Sequence, residues 1–432
     1  MTKEIGVLNA SVWRRALGVD RATVIESVEF DEEADAVVIH VRPRRATKRR
    51  CGVCGRRAPG YDQGQGRRNW RALDLGVALC YLQADAPRVT CPEHGPTVAQ
   101  VPWARHGAGH TRHFDDQVSW LVTHTSKSAV AEVMRVSWRS VGAIITRVVA
   151  DARAAKDPFE GLVRIGIDEI SYRRGHKYLT VVVDHDSGRL VWAAVGRDKE
   201  TLEQFFELLG EERSSRIRLV SADAAEWIAA VVAHRCPNAT LCADAFHMVA
   251  WATKALDEVR KGIWRTARSI GAPSLIAHLK GCRYALLKNP DHLSDKQQES
   301  LSRVASVNKT LYRAYLLKEQ FRLVFQLRGR AAIRALDSWC SWARRCRIPA
   351  FVGLYHRIVR HRDSIIATLT NDGLSNALVE STNTKLRLLT RMAYGFKSTD
   401  NLIALCLLDR GGYCPPLPGR GRFSSPALAT LG

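Results

Sequence analysis

The hydrophobic period changes several times in the central part of the chain, and this change most constrains the fold. Residues 162–198 contain three apolar runs typical of strands, "LVRIGIDEI", "KYLTVVVDHDSG" and "RLVWAAVGRD", and Gly188 favours a tight turn between the last two. Residues 201–247 then alternate twice between a helical pattern and a strand pattern. Three antiparallel strands followed by alternating helices and strands predict a mixed sheet with helices on its faces.

The order of these elements is ribonuclease-H-like, and it brings acidic residues together. Asp168 ends the predicted first strand and Asp223 ends the fourth, so carboxylates about 4.8 Å apart could share a metal ion. Glu169 is expected to point to the opposite face, because consecutive strand residues alternate. Asp244 ends the fifth strand, roughly 10 Å from the first, which makes Asp223 the better second ligand. Each carboxylate could equally cap the turn that follows it.

A third acid lies in "LVESTNTKLRLLTRMAYGF" (378–396), which has a helical period. On a helical wheel at roughly 100° per residue, Glu380 shares one face with polar and basic residues: Asn383, Thr384, Arg387 and Arg391. A solvated face with an ion pair between Glu380 and Arg387 would give the same pattern. Acids from two strands and this helix would suit two magnesium ions about 3.5–4 Å apart at one phosphodiester, with Asn383, Thr384 and Arg387 against the phosphate backbone.

Only one group of the eleven cysteines has the spacing of a metal site. Cys51 and Cys54 form one pair, Cys91 and His94 form a second, and each pair has two intervening residues. Two such knuckles complete a closed tetrahedral zinc site, and the strand-like residues 69–90 between them suit a zinc ribbon. Two chance pairs are the alternative interpretation.

Two further N-terminal segments are predicted to contact DNA. A hairpin over residues 23–42 leads into a basic connector whose side chains would lie on phosphates: Arg44, Arg45, Lys48, Arg49 and Arg50. Residues 111–153 then have a helical period, and the short joint between the last two helices is typical of a helix-turn-helix. Ser137 is the expected N-cap, and the exposed start of the recognition helix holds Trp138, Arg139 and Ser140. An ordinary helical hairpin remains the alternative.

The net charge of the chain favours a polyanionic partner. Its 65 Lys and Arg residues against 43 Asp and Glu give +22, and its pI is about 9.9. No apolar run is long enough for a transmembrane helix, and the N-terminus lacks an apolar signal core. We therefore expect a cytoplasmic, nucleoid-associated protein that binds DNA and no membrane. Its cysteines are not expected to form disulfides in that compartment.

The chain is expected to be an α+β, multidomain protein, since 432 residues are too many for one compact domain. The predicted parts are a hairpin and zinc-ribbon domain (1–104), a helix-turn-helix domain (105–156), the first part of a ribonuclease-H-like core (157–249), an all-α insertion (250–370), the second part of the core (371–412) and a flexible tail (413–432).

Three blocks of the sequence resemble the ISL3 family of bacterial insertion-sequence transposases: "IGIDEISYRRGHKYLTVVVD", "SADAAEWIAAVVAHRCPNATLCADAFHMV" and "LVESTNTKLRLLTRMAYGF". The resemblance implies a DDE triad of Asp168, Asp223 and Glu380 that cuts and joins DNA with two Mg²⁺ ions, for which Mn²⁺ can substitute. Asp244 and His247 match an accessory D-x-x-H motif, although Asp244 could also cap a helix. His94 departs from the second all-cysteine knuckle expected in the family.

The implied partners are double-stranded DNA, as the element's terminal inverted repeats and the target, and further copies of the chain in a homo-oligomeric active complex. Two other functions fit parts of the sequence. A DNA-binding regulator with an inert ribonuclease-H-like fold would not need all three acids, and a nuclease without strand transfer would not need the N-terminal modules. Inverted repeats beside a duplicated target would favour the transposase.

Overall fold

The computed structural model describes residues 2–4, 10–173, 175–279, 281–371, 377–392 and 398–420, without the side chains of 2–4, 278, 377 and 378. The chain divides into two compact units. The first unit comprises Met1–Pro158 and Leu388–Gly432, and the second unit comprises Phe159–Arg387. Residues 393–396 of the predicted Glu380 helix and 421–432 of the predicted tail lie outside the described residues.

Two sheets form the β part of the first unit. A five-stranded sheet has the order β1-β2-β3-β6-β5, with β1 Thr2–Glu4, β2 Thr23–Asp31, β3 Ala36–Pro43, β5 Arg67–Arg71 and β6 Leu79–Asp85. A three-stranded sheet has the order β4-β7-β8, with β4 Gly60–Asp62, β7 Arg88–Cys91 and β8 Gly95–Val98. The hairpin expected at 23–42 is confirmed as β2 and β3.

The strands between the two cysteine pairs are divided between these sheets, which the sequence did not suggest. β5 and β6 pair with each other, but β6 also pairs in parallel with β3 and so joins the hairpin. The reason is the inner face of β6, where Cys80, Leu82 and Ala84 are buried in one core with Ile39 and Trp70. The three-stranded sheet carries the ribbon instead.

The helices of the first unit include the predicted helix-turn-helix. The chain forms α1 Ala10–Ala16, α2 Arg112–Val122, α3 Lys127–Val133, α4 Trp138–Ala155 and, after the second unit, α17 Thr399–Arg410. Thr111, Ser126 and Ser137 cap α2, α3 and α4 with their side chains. Tyr413 is buried, so the chain is still packed where the flexible tail was expected to begin.

The sheet of the second unit has the order β11-β10-β9-β12-β13, which confirms the expected mixed sheet. Its strands are β9 Arg164–Arg173, β10 Lys177–Asp184, β11 Leu190–Val195, β12 Leu219–Ala222 and β13 Thr240–Ala243. β9, β10 and β11 are antiparallel neighbours, whereas β12 pairs in parallel with β9 and β13. The helices α5 Lys199–Leu209, α6 Glu211–Ser214 and α7 Glu226–Arg235 connect these strands.

A block of helices follows β13. It consists of α8 Ala245–Ser269, α9 Pro273–Leu279, α10 Cys282–Leu287, α11 Asp295–Val307, α12 Lys309–Val324, α13 Gly329–Arg345, α14 Pro349–Arg360 and α15 Arg362–Thr370. Their buried side chains form one apolar core around Phe321, Trp339 and Phe351. The block begins at Ala245, not at 250, because Asp244 caps α8 directly after β13.

The helix that carries Glu380, α16 Ala377–Met392, packs closely on β9. A Cβ atom at Gly166 would lie 2.3 Å from Val379 Cγ2 and 2.9 Å from His185 Nε2. Only glycine leaves room for this approach, which brings the face of α16 that bears Asn383 against the sheet. Within the described parts of the chain, no helix combines the length and the hydropathy needed to cross a bilayer.

Candidate active site

A cavity of about 330 Å³ lies where β12 and β13 end, and most of its charged lining is acidic. We call it the acidic cavity. It is lined by Asp168, Glu169, Tyr178, Arg197, Asp223, Asp244, Phe246, His247, Glu380, Asn383 and Arg387. All three members of the predicted triad therefore border one cavity within the second unit.

The strand register explains why three of the aspartates meet. Ser221 pairs with Gly166 and Ala222 pairs with Ala243, so continuing the two parallel ladders sets Asp223 beside Asp168 and Asp244. Adjacent strands are about 4.8 Å apart, which keeps these carboxylates within reach of a shared cation. Asp168 does not end its strand as expected, because β9 continues to Arg173 along β10.

Both carboxylate oxygens of Asp168 are held by amide groups. The backbone N–H of Glu169 donates to Oδ1 at 2.7 Å, and Asn383 Nδ2 donates to Oδ2. Burial, followed by the negative charge of Asp223, raises the pKa of Asp168 to about 6. The protein thus fixes the orientation of this carboxylate in surroundings that disfavour its charge.

The helical wheel suggested that Asn383 lies on an exposed face of α16, but it does not. Asn383 is 1% exposed and shares the sheet-facing side of the helix with Val379 and Leu386. Glu380 and Arg387 are exposed and border the cavity, and among the described residues no carboxylate forms an ion pair with Arg387. The structure therefore does not contain the Glu380–Arg387 ion pair that was the alternative interpretation.

His247 joins two of the aspartates. Its Nδ1 contacts Asp223 Oδ1 and lies 2.8 Å from Asp244 Oδ2, and hydrogen bonds to these two carboxylates raise the pKa of His247 to about 10. Asp244 also caps α8 by accepting from Phe246 N at 3.1 Å, so it both caps a helix and lines the cavity. The ligand atoms of Asp223, Asp244 and His247 all lie within 4.8 Å of one another.

Strand alternation predicts Glu169 on the face opposite Asp168, and Arg197 was not considered in the sequence analysis, but both residues line the acidic cavity. The Glu169 side chain is 7% exposed, pairs with Arg197 and lines the same cavity as Asp168. β9 extends beyond the last residue of β12, so side chains from both faces of β9 can border the opening. Burial is the main cause that raises the pKa of Glu169 to about 7. Arg197, the partner of Glu169, also has its guanidinium 4.9 Å from the centroid of the Tyr178 ring.

The predicted zinc ligands form a compact cluster in the first unit. Cys54 Sγ lies 3.7 Å from Cys91 Sγ, and His94 Nδ1 lies 3.5 Å from Cys91 Sγ and 3.8 Å from Cys51 Sγ. Ligands at about 2.3 Å from a tetrahedral zinc ion are separated by about 3.8 Å, so this donor set fits zinc. The hydrogen bond with His94 lowers the pKa of the Cys91 thiol to about 6, which favours the thiolate that binds metal.

The predicted DNA-contacting residues are only partly exposed. Arg139 is exposed at the start of α4, but Trp138 is half-buried, with the Lys127 ammonium 3.5 Å from its ring centroid. Ser140 is half-buried and its N–H donates to the N-cap Ser137 at 3.0 Å. In the connector, the exposed residues are Arg44, Arg45, Lys48 and Arg49. Arg50 is half-buried and donates to Gly55 O at 3.0 Å.

Comparison with known families gives three matches that follow one another along the chain. A family described as "zinc-finger of transposase IS204/IS1001/IS1096/IS1165" matches residues 47–94. A "Helix-turn-helix domain of transposase family ISL3" matches residues 99–149, and a family described as "Transposase" matches residues 165–406. The last match spans the acidic cavity and the block of helices.

Individual relatives extend over nearly the whole chain. The "Transposase for insertion sequence element IS1557" of Mycobacterium tuberculosis is 56% identical and covers 95% of this chain and 98% of its own length. The "Transposase for insertion sequence element IS1001" of Bordetella parapertussis is 26% identical, with 87% of this chain and 92% of its own length covered.

Proposed function

Because the chain belongs to the ISL3 family of DDE transposases, we propose that it binds the terminal inverted repeats of its own insertion sequence and cuts and joins DNA strands at the acidic cavity. The observation that carries this proposal is the convergence of Asp168, Asp223 and Glu380 on one cavity, although they lie far apart in the chain. We assign the triad to these three residues.

The chemistry of the donor set supports Mg²⁺ at this cavity. Its lining offers carboxylate oxygens from β9, from the residues that follow β12 and β13, and from α16. Hard divalent cations prefer such oxygen ligands. Asp168, Asp223 and Glu380 would hold two such ions, with Mn²⁺ as a substitute. When bound, the ions supply activation of the attacking oxygen and stabilisation of the leaving oxygen.

The neighbouring residues have positioning roles in this proposal. Asn383 and the Glu169 N–H orient the Asp168 carboxylate, and His247 holds Asp223 and Asp244 together while offsetting part of their charge. Arg387 and Arg197 add the positive charge that a phosphodiester needs to enter a cavity lined by carboxylates.

The N-terminal region would recognise the ends of the element. We assign sequence reading to Arg139, at the exposed start of α4, and phosphate contacts to the connector residues Arg44, Arg45, Lys48 and Arg49. Joining two ends at one target requires more than one cavity, so the active complex would be a homo-oligomer.

Conservative replacement of the acids tests the proposal. Asp168→Asn, Asp223→Asn and Glu380→Gln keep the shape of each side chain but remove a negative ligand, so we expect strand cleavage with Mg²⁺ to fall by about 100-fold or more. DNA binding should stay near wild type. Asp186→Asn is a matched control, because Asp186 is an exposed aspartate of the same unit that pairs with Arg164 outside the cavity.

The products of the same assay separate the alternatives. A pre-cut terminal repeat with a free 3′-hydroxyl should become joined to a second duplex. Cleavage without joining would indicate a nuclease, and binding without cleavage would indicate a regulator. Near-normal cleavage by any one of the three variants would remove that residue from the triad.

A further inference from the structure

The helices inserted after β13 carry most of the net positive charge of the chain. Residues 250–370 contain 23 Lys and Arg against 8 Asp and Glu, whereas residues 157–249 contain 11 against 15. These helices contribute neither the zinc ligands nor the recognition helix. The charge that attracts a polyanion is therefore concentrated in a region to which no DNA contact has been assigned so far.

Part of this charge surrounds a groove of about 590 Å³ between the C-terminal half of α8, the end of α9 and the start of α10. We call it the basic groove. Trp264, half-buried, and Leu279, buried, provide its apolar lining, and four basic residues border it: Arg260, Lys261, Arg265 and Arg283. The groove thus combines an aromatic surface with cations on two helices.

The positive charge of the groove is only partly compensated. Asp257 pairs with Arg260 at 2.7 Å and with Lys261 at 2.8 Å. Arg265 and Arg283 are exposed, and no carboxylate of the described residues forms an ion pair with either of them. Two guanidinium groups therefore remain available for an anionic ligand beside Trp264.

We propose that the basic groove binds single-stranded DNA, with phosphates on Arg265 and Arg283 and an unpaired base against Trp264. An aromatic side chain within a cationic groove suits an unpaired base, because base stacking on such a ring does not depend on sequence. A duplex keeps its bases stacked inside and would use the arginines alone.

The groove is connected to the acidic cavity by one continuous helix. α8 begins beside Asp244 and carries both His247 and Trp264, which are separated by about 26 Å of helix rise. This span corresponds to about eight nucleotide steps at the 3.4 Å rise of one strand. A strand separated near the cavity can thus reach the groove, while binding there does not depend on the carboxylates. Loss of cleavage and loss of groove binding are therefore separable.

The test measures binding of labelled oligo-dT and of a duplex of equal length to the full-length, zinc-loaded protein at matched salt. Trp264→Leu should weaken oligo-dT binding by about five- to 150-fold, the range for loss of one stacked base. Trp264→Phe should keep most of the affinity. Arg265→Ala with Arg283→Ala should lower the slope of log affinity against log salt by about 1.4.

Arg216→Ala with Arg218→Ala is the matched control, since it removes two exposed cations of the same unit from outside the groove. This variant should bind oligo-dT with the affinity of the wild-type protein, because Trp264 is unchanged. Asp168→Asn should also bind oligo-dT like wild type. Unchanged thermal midpoints identify correctly folded variants. Wild-type oligo-dT binding by a folded Trp264→Leu protein would overturn the proposal, as would equal weakening of oligo-dT and duplex binding by Trp264→Leu.

Discussion

The zinc cluster and the acidic cavity both gather side chains that suit a divalent metal, but they are held in place by different means. Of the four zinc ligands, Cys54 and His94 lie on short turns and Cys91 ends β7 of the three-stranded sheet, and the four side chains lie close to one another. The carboxylates of the cavity, apart from Glu380 on α16, stand on or directly after strands of a five-stranded sheet with its own apolar core, and amide groups hold Asp168. The metal is part of the framework in the first case, whereas the framework exists without it in the second.

The largest effect is expected from removal of a zinc ligand. Cys91→Ser should release zinc and unfold the region around residues 47–94, because the binding energy of a structural zinc site is largely folding energy. Elemental analysis and limited proteolysis of the purified protein measure both. Cys340→Ser, which changes a half-buried thiol of the second unit, should keep the zinc.

The cavity should respond in the opposite way. Asp223→Asn removes one of several neighbouring carboxylates, so the thermal midpoint of the protein should stay unchanged or rise. A folded, protease-resistant Cys91→Ser protein without zinc would contradict the distinction between the two sites.

The zinc ligands could be predicted completely because their geometry is local. The spacing of Cys51 and Cys54 reports on one tight turn and needs no knowledge of the rest of the fold. The sheet order likewise predicted that Asp168 and Asp223 meet, since it follows from the succession of periods. The place of Glu169 in the cavity and the burial of Asn383 could not be predicted, because they depend on where β12 ends and on which side of α16 meets β9.

The dependence of the cavity on its framework can be tested at a residue that carries no carboxylate. In Gly166→Ala, the new Cβ would lie 2.3 Å from Val379 and force α16 away from the sheet, at a cost of about 3 kcal/mol in the free energy of unfolding. Cleavage should fall because Glu380 and Asn383 move with the helix, while the zinc content stays unchanged. Chemical denaturation and the cleavage assay provide the two measurements.

Gly353→Ala is the matched control for this change. No atom lies within 4 Å of a Cβ at Gly353, which is exposed within α14, so alanine should stabilise the protein by about 0.5–1 kcal/mol. Adding Val379→Ala to Gly166→Ala should restore part of the lost stability and cleavage. If Gly166→Ala alone cleaves like wild type, α16 does not position the cavity by this contact.

The smallest effect is expected in the recognition helix. Of two adjacent residues there, one depends on local structure alone and the other has a tertiary partner. Arg139 is exposed, so its DNA contact would depend only on its position at the start of α4. The Trp138 ring contacts Lys127 of α3, a tertiary partner that local spacing does not reveal.

Arg139→Ala should therefore reduce discrimination between terminal and random duplexes by about 1–3 kcal/mol, the range for one guanine contact. Trp138→Phe should leave that discrimination unchanged, because a phenyl ring can still pack on the ammonium. Competition binding at matched salt measures both variants, and a larger loss of discrimination in Trp138→Phe than in Arg139→Ala would move base reading from the arginine to the indole.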